Sequence, residues 1–201
     1  GIEEVKTCGS TAAGAELRHH VLAVQLGLAL AAPAVLAAGV GDVWLVGGAS
    51  NSGGAVLRRF FSDARLAELT PRLDPSRPTG LGYYPLPAPG ERFPLADAAL
   101  QPRLTPRPDD DAVFFQGILE GIADIEAAAY GRLAEMGASP LKEVLTAGGG
   151  AANPKWTQIR QQLLGVPVRA AAQGEACYGA ALLARQGARQ AAAAAAAAAA
   201  E

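Results

Sequence analysis

The stretch Leu145-Thr-Ala-Gly-Gly-Gly-Ala-Ala-Asn-Pro-Lys-Trp156 decides the fold more than any other part of the chain. It predicts a short apolar strand, a turn at Gly148–Gly150, and a helix that begins at Asn153 and Pro154. Glycines permit positive φ and let a ligand approach where a Cβ would collide. The helix start is expected to direct unpaired N–H groups and partial positive charge into the loop. A plain tight turn and a site for the phosphates or sugar–base edge of a nucleotide both fit this pattern.

The glycine motif matches neither common phosphate-binding signature. The pattern GxxxxGK[ST] is absent, Lys155 follows a proline, and GxGxxG does not occur here. Upstream, the apolar run Val43–Val46 ends at two glycines and predicts a strand, and Gly53 and Gly54 then open a helix. Alternating strands and helices of this kind predict an α/β fold.

The middle of the chain predicts one irregular segment and one long helix. Most prolines lie in Pro71–Pro108, which predicts a surface connection with a short strand at Gly82–Leu86. The acidic run Asp109–Asp111 supplies an N-cap for a helix over residues 112–136, which Gly137 ends. Its apolar residues recur every three or four positions and predict one buried stripe, formed by Phe114, Ile118, Ile122, Ile125 and Ala129.

Composition excludes several classes of function. With 201 residues the chain is one domain or one lobe of a larger enzyme. A net charge of −2 and no cluster of Lys or Arg predict no nucleic-acid partner. The two cysteines, Cys8 and Cys177, indicate a reducing compartment, and Cys177 is expected to be a buried thiol. His19 and His20 have no Cys or Asp at ligand spacing nearby, so no metal site is predicted.

Two further segments have unusual composition. Val21–Val40 contains twenty residues without a charge, the length of a membrane span. Gly27 and Pro33 interrupt it, so a buried core segment, a membrane segment, and a processing artefact that does not pack all remain open. A final helix is predicted from about Gln173 to Arg185. The alanine run Ala191–Ala200 is predicted to be a solvated or frayed tail.

Four segments together resemble the C-terminal lobe of the FGGY carbohydrate kinases, in the actin-like ATPase superfamily. The longest is GGGAANPKWTQIRQQLLGVPV, residues 148–168. Asp42–Asp63 resembles the second strand of that lobe and the helix after it, Tyr83–Pro94 its connecting loop, and Glu175–Ala184 its closing helix. A shorter match lies at Val5–Thr11. The likeness is greatest to plant and cyanobacterial D-ribulokinases and xylulokinase-like proteins.

The resemblance implies a ribonuclease-H-like lobe, a mixed sheet flanked by helices, that binds ATP and Mg²⁺ in the cytoplasm or plastid stroma. It predicts three parts: a divergent segment at 1–40, the kinase lobe at 41–186, and an alanine-rich tail at 187–201. It also implies the ATP-binding residues. These are Gly9, Ser10 and Thr11 for the terminal phosphates, Gly54 with Gly53 for a phosphate, Gly148, Gly149 and Gly150 along the adenosine, Asn153 for the nucleotide, and Trp156 for the adenine pocket.

Several assigned residues have ordinary structural explanations as well. Asn153 is a good N-cap, Trp156 a good hydrophobic anchor, and Gly9–Thr11 an ordinary turn. Glu175 is expected to cap or solvate the last helix. Arg58, Arg59 and Arg160 are expected to be solvated.

The sequence offers no catalytic residue. In the resembled kinases the acceptor-activating Asp lies upstream of the Gly-Ser-Thr turn, and the sugar contacts belong to an N-terminal lobe. Glu3 and Glu4 do not stand at the position of that base. The resemblance therefore implies the ATP-binding lobe of a sugar kinase acting on a pentulose or related sugar, inactive by itself. The alternative is a truncated, non-catalytic module that binds nucleotide or a partner protein.

Overall fold

A six-stranded mixed sheet organises the larger part of the chain. The computed structural model describes residues 3–7, 21–26, 35–40 and 43–198. The strands are β1 (Glu3–Thr7), β2 (Val21–Leu26), β3 (Val35–Val40), β4 (Val43–Ser50), β5 (Val144–Thr146) and β6 (Val168–Ala170). Their order across the sheet is β3-β4-β2-β1-β5-β6. The pairs β2–β4 and β5–β6 are parallel and the other three are antiparallel, so the predicted mixed sheet is present.

The uncharged interval Val21–Val40 contains extended backbone. Its described residues form β2 and β3, and residues 27–34 lie outside the described part of the chain. Strand β4, expected as the second strand, is the fourth along the chain and pairs in parallel with β2. Among the helices in the described residues, none is long and apolar enough to cross a membrane.

The described residues form four α-helices. They are α1 (Asp63–Leu69), α2 (Asp111–Glu135), α3 (Pro154–Leu164) and α4 (Ala176–Ala198). Three short 3₁₀ helices lie at Gly54–Arg59, Thr70–Arg72 and Gly149–Ala152. Residues Gly1–Ala171 form one compact unit and Ala172–Glu201 a second.

Helix α2 forms the centre of the hydrophobic core. Asp110 is its N-cap, with a side-chain oxygen accepting from the Ala112 N–H at 2.8 Å, and Gly137 follows its end with φ +91°. All five residues of the predicted stripe are buried. Burial extends further round the helix, because Phe115, Leu119 and Ala123 are buried too. Helix α2 packs against α3, which follows the glycine motif, and against β4, which precedes the segment beginning at Asn51.

The proline-rich connection is irregular, as predicted, but the strand expected at Gly82–Leu86 is absent. Only one isolated bridge forms there, between Tyr84 and Arg103. Prolines at positions 85 and 87 have no N–H to donate, so this segment cannot sustain a ladder.

The second unit corrects two predictions. Helix α4, expected to end near Arg185, begins at Ala176 and continues through the alanine run to Ala198; the described part of that run is exposed, as expected of a solvated tail. Alanine has the highest helix propensity, and extending a helix that has begun is much easier than starting one. The Cys177 thiol, expected to be buried, is exposed.

Candidate functional site

The glycine motif forms a turn, a 3₁₀ helix and a capped α-helix in succession. Gly148 follows the last residues of β5 with φ +87°, a conformation that a residue with a Cβ rarely adopts. Gly149 lacks that constraint: it is exposed, its φ is not positive, and an added Cβ would meet no atom within 4 Å. The fold of the described residues therefore requires glycine at 148, whereas at 149 it leaves open space.

Asn153 caps α3 and thereby corrects one expectation. Its Oδ1 accepts from the N–H groups of Lys155 and Trp156 at 3.0 and 3.1 Å. These two N–H groups, expected to be unpaired, are satisfied by the cap and are not free for a phosphate. The other end of the same amide, Nδ2, makes no hydrogen bond to the described residues, so Asn153 keeps a donor for a ligand.

Trp156 is a core residue and a wall of the site at once. It is 3% exposed, and the Arg160 guanidinium lies 4.9 Å from the centroid of its ring. Its indole Nε1 is buried and has no hydrogen-bond partner among the described residues. A buried donor without a partner is costly.

Arg160, expected to be solvated, is the most buried charged residue of α3. Its Nε and Nη2 donate to both carboxylate oxygens of Glu126 at 2.6 and 2.7 Å, and Nη1 donates to Thr146 Oγ1 at 2.6 Å. It lies four residues after Trp156 and is therefore on the same helix face. That spacing was the available signal for its burial.

A cleft of about 950 Å³ lies beside the glycine motif. This volume is within the range of about 300–1,000 Å³ typical of small-molecule sites. Its lining comprises Asn51–Arg58, then Asp63, Leu66, Ala67, Thr70 and Pro71, the rim Pro87–Gly90, the base residues Phe115, Leu119 and Ile122 of α2, and Gly148, Gly149, Gly150, Ala152, Asn153 and Trp156. Six of the nine residues predicted to bind ATP thus line one cavity.

A second part of the cleft lining, distant in sequence from the glycine motif, is the segment Asn51–Gly54, which we call the Asn51 wall. Within this wall Gly53 has a φ of +148°, and the chain turns there from β4 into the 3₁₀ helix at Gly54–Arg59. That helix, expected as an α-helix, buries Val56, Leu57 and the nearby Phe61, whereas Phe60 is 39% exposed. Gly54, the first residue of this helix, lines the cleft.

Two charged side chains are present in the described lining. Arg58 Nε lies 3.1 Å from Asp63 Oδ1, and both side chains are well exposed, so this ion pair is weak. Arg59 points elsewhere, donating from Nη1 to the Pro87 carbonyl at 2.6 Å. In the part of the chain that the structure describes, no group of three or more His, Cys, Asp or Glu is placed to hold a metal ion.

Three predicted phosphate contacts, Gly9, Ser10 and Thr11, lie outside the described residues, as do Cys8, His19 and His20. The rim at Pro87–Gly90 and the α2 base were not predicted. Tyr83–Pro94 was assigned only as a connecting loop, although a Glu-Arg pair inside an apolar, proline-rich run was a signal that it has a specific partner.

Comparison with known families identifies a matching domain. The model of the FGGY family of carbohydrate kinases, C-terminal domain, matches residues 10–188. This domain implies an actin-like ATPase fold, and the kinases of the family use ATP, typically with Mg²⁺, to phosphorylate carbohydrates. The matched range includes every residue of the cleft and most of the chain. The chain therefore belongs to the FGGY family of carbohydrate kinases and provides the C-terminal lobe of such an enzyme.

Proposed function

We propose that the cleft is the ATP site of a sugar kinase and that this lobe presents the terminal phosphate of ATP to a sugar hydroxyl. The observation that carries the proposal is the position of the six predicted residues. They come from two segments nearly one hundred residues apart, and they line the same cavity. A tight turn alone would explain the glycines at Gly148–Gly150, but it would not explain why they line the same cavity as Gly54.

The glycine side of the cleft suits the nucleoside. Gly149 leaves space where a Cβ would stand, Asn153 Nδ2 is a donor without a protein partner in the described structure, and Trp156 lines the same cleft. Because Asn153 Oδ1 already satisfies the first N–H groups of α3, this end is poorly suited to an anion. We assign the adenosine to Gly148–Gly150, Asn153 and Trp156.

The other end of the cleft suits the phosphates. Arg58 is the one cationic side chain in the described lining, and it belongs to the same 3₁₀ helix as Gly54. On the resemblance, Gly9, Ser10 and Thr11 would contact the terminal phosphates. Asp63 is the single carboxylate of the described lining and is already paired, so these residues do not form a protein-held Mg²⁺ site. The ion would be bound through the phosphates, where it neutralises charge during transfer.

We propose a pentulose or related sugar as the acceptor, on the likeness to D-ribulokinases and xylulokinase-like proteins. The described cleft lining has no free carboxylate to accept the hydroxyl proton. The acceptor base and sugar contacts would come from an N-terminal lobe closing over the cleft, which would also exclude water. On this proposal the 201-residue chain by itself binds nucleotide and phosphorylates no sugar.

The test is a calorimetric titration of the chain with Mg-ADP, using two substitutions of Asn153. Asn153→Asp keeps the capping oxygen but removes the Nδ2 donor and adds a negative charge, so helix stability is retained and binding is lost. Asn153→Ala removes both, so it also lowers the free energy of unfolding by about 1 kcal/mol.

Saturable binding to the unsubstituted chain that both variants weaken at least tenfold supports the proposal. Wild-type affinity in Asn153→Asp would place the ligand elsewhere. Absence of binding to a chain with a cooperative unfolding transition would contradict the nucleotide site in the isolated chain. Turnover of a pentulose by the chain alone would contradict the assignment of the base to another lobe.

A further inference from the structure

Glu91 is a buried carboxylate behind the rim of the cleft. It is 3% exposed and accepts four hydrogen bonds. Oε1 accepts from the backbone N–H of Asn51 at 2.7 Å and of Arg92 at 2.8 Å. Oε2 accepts from Ser50 Oγ at 2.7 Å and Tyr84 Oη at 3.1 Å. Both oxygens are therefore saturated, and Glu91 itself does not line the cleft.

The bond to Ser50 continues into the Asn51 wall. Ser50 Oγ, fixed as a donor by Glu91, accepts from the Ser52 N–H at 3.0 Å. Ser52 Oγ in turn donates to the Pro85 carbonyl at 2.6 Å. Both serines are fully buried. Glu91 thus orients a chain of hydrogen bonds that ends one residue before Gly53.

The side chain of Asn51 is held at both ends. Its Nδ2 donates to the Gly90 carbonyl at 3.0 Å, and its Oδ1 accepts from Arg92 Nε at 2.7 Å. Each polar side-chain atom of Asn51 and Ser52 already has a protein partner, so the main contribution of these residues to the cleft is the course of their backbone. That course depends on residues 41 positions away in sequence, Glu91 above all.

The Tyr84 hydroxyl is protonated and can therefore donate its hydrogen bond to Glu91. Burial first, and then the charge of Glu91, raises the pKa of the Tyr84 hydroxyl well above its ordinary value. The hydroxyl consequently stays protonated across the physiological range and continues to donate to the carboxylate. Four donors thus bond to the Glu91 carboxylate, as expected of a buried carboxylate.

We propose that Glu91 is a positioning residue for nucleotide binding, which holds the Asn51 wall and the turn at Gly53–Gly54 in the shape that receives the phosphates. This inference rests on the proposed function of the cleft. Glu91 would act through Ser50 and the backbone of Asn51, without touching the nucleotide. Replacement by Gln leaves an NH₂ group facing the hydroxyls of Ser50 and Tyr84, so both must reverse their hydrogen bonds.

Two measurements on the 201-residue chain test the inference. The first is amide hydrogen exchange without ligand, in which Glu91→Gln is expected to accelerate exchange at residues 51–56 while α2 and α3 stay protected. The second is the Kd of Mg-ADP at a temperature where each variant is fully folded, expected to rise about tenfold. Ser50→Ala, which removes one link and leaves the carboxylate in place, is expected to give a smaller change in the same direction.

Glu120→Gln is the matched control. Glu120 also accepts several hydrogen bonds, from Thr79 N, Thr79 Oγ1 and Gln116 Nε2, but it anchors a loop that does not line the cleft. Its replacement is expected to lower the melting temperature and leave the Kd unchanged.

Each outcome decides the inference. Unchanged exchange at 51–56 in Glu91→Gln, or faster exchange with an unchanged Kd, overturns it. An equal rise of the Kd in Glu120→Gln overturns it as well, because the effect would then be general loosening. Failure of the unsubstituted chain to bind Mg-ADP would instead reject the proposed function on which the inference rests, a result visible before any variant is compared.

Discussion

Arg160 and Glu126 form a buried, two-pronged ion pair that joins α3 to α2. The two donor nitrogens lie 2.6 and 2.7 Å from the two carboxylate oxygens, and both side chains are almost entirely inaccessible to solvent. The third nitrogen of Arg160 reaches Thr146 at the end of β5, and its guanidinium lies over Trp156. One side chain therefore fixes the strand before the glycine loop and the helix after it.

Breaking this pair on one side is expected to be more harmful than removing it entirely. Arg160→Met leaves a buried carboxylate, and Glu126→Leu leaves a buried guanidinium; each is expected to lower the free energy of unfolding by about 3–5 kcal/mol. The double variant leaves no uncompensated charge and should lose less than either single variant. Urea unfolding of all four chains measures this coupling. Additive losses in the double variant would contradict the prediction.

Sequence reasoning succeeded where the determining interactions are local. The stripe of α2 follows from helical periodicity, and the cap at Asn153 from the chemistry of an amide before proline. Resemblance, together with the glycines, predicted residues that now line one cleft. The mixed sheet followed from the resemblance as well.

Sequence reasoning failed where the burial or the hydrogen bonds of a residue depend on a partner distant in sequence. Arg160 was expected in solvent because charged residues on helices usually are, and the partner that buries it, Glu126, lies 34 residues away. Glu91 has its Ser50 contact 41 residues away, so the local sequence did not identify this partner. The expected strand at Gly82–Leu86 has local β propensity, but it pairs only through the bridge between Tyr84 and Arg103, because Pro85 and Pro87 cannot extend a ladder.

Gly149→Ala is expected to separate ligand binding from folding. The site has room for a Cβ and an ordinary φ, so the substitution should leave the free energy of unfolding unchanged or slightly higher. If the open space receives the nucleoside, the methyl group should raise the Kd of Mg-ADP about tenfold or more.

Gly131→Ala is the control, since Gly131 also has open space around it but lies on the exposed side of α2. Its stability should rise by about 0.5–1 kcal/mol, with wild-type binding. Unchanged affinity in Gly149→Ala would remove this residue from the site.

Tyr130→Phe is expected to stabilise the chain, most clearly at high pH. The Tyr130 hydroxyl is buried without a partner among the described residues, and burial, followed by the charge of Glu126, raises its pKa far above the ordinary value. Above pH about 10 the unfolded chain releases this proton while the folded chain keeps it, so stability falls as pH rises, by about 1.4 kcal/mol per pH unit.

Below that pH the tyrosine contributes no pH dependence. The phenylalanine variant should therefore gain about 1 kcal/mol at neutral pH and show a shallower alkaline loss in chemical unfolding from pH 8 to 12. Tyr84→Phe provides the contrast, because its raised pKa is also removed but its hydrogen bond to Glu91 is lost. It should be less stable than wild type at neutral pH. A neutral-pH loss in Tyr130→Phe similar to that of Tyr84→Phe would show that the Tyr130 hydroxyl has a partner after all.

Asp63→Asn is expected to tighten nucleotide binding. Asp63 both occupies Arg58 and presents a negative charge to the cleft in which the phosphates are placed. Its neutralisation should lower the Kd of Mg-ADP about threefold at low salt. This gain in affinity should fade with added salt, because exposed charges are screened over about 8–10 Å.

Glu135→Gln is the control, because it changes the net charge equally but at the far end of α2. Glu135 pairs there with Arg132 outside the cleft lining, so the substitution should leave the Kd unchanged. Adenosine, which has no phosphate, should bind Asp63→Asn and wild type alike. Tighter binding of adenosine, or an equal effect of Glu135→Gln, would mean that Asp63 does not face the phosphate end of the nucleotide.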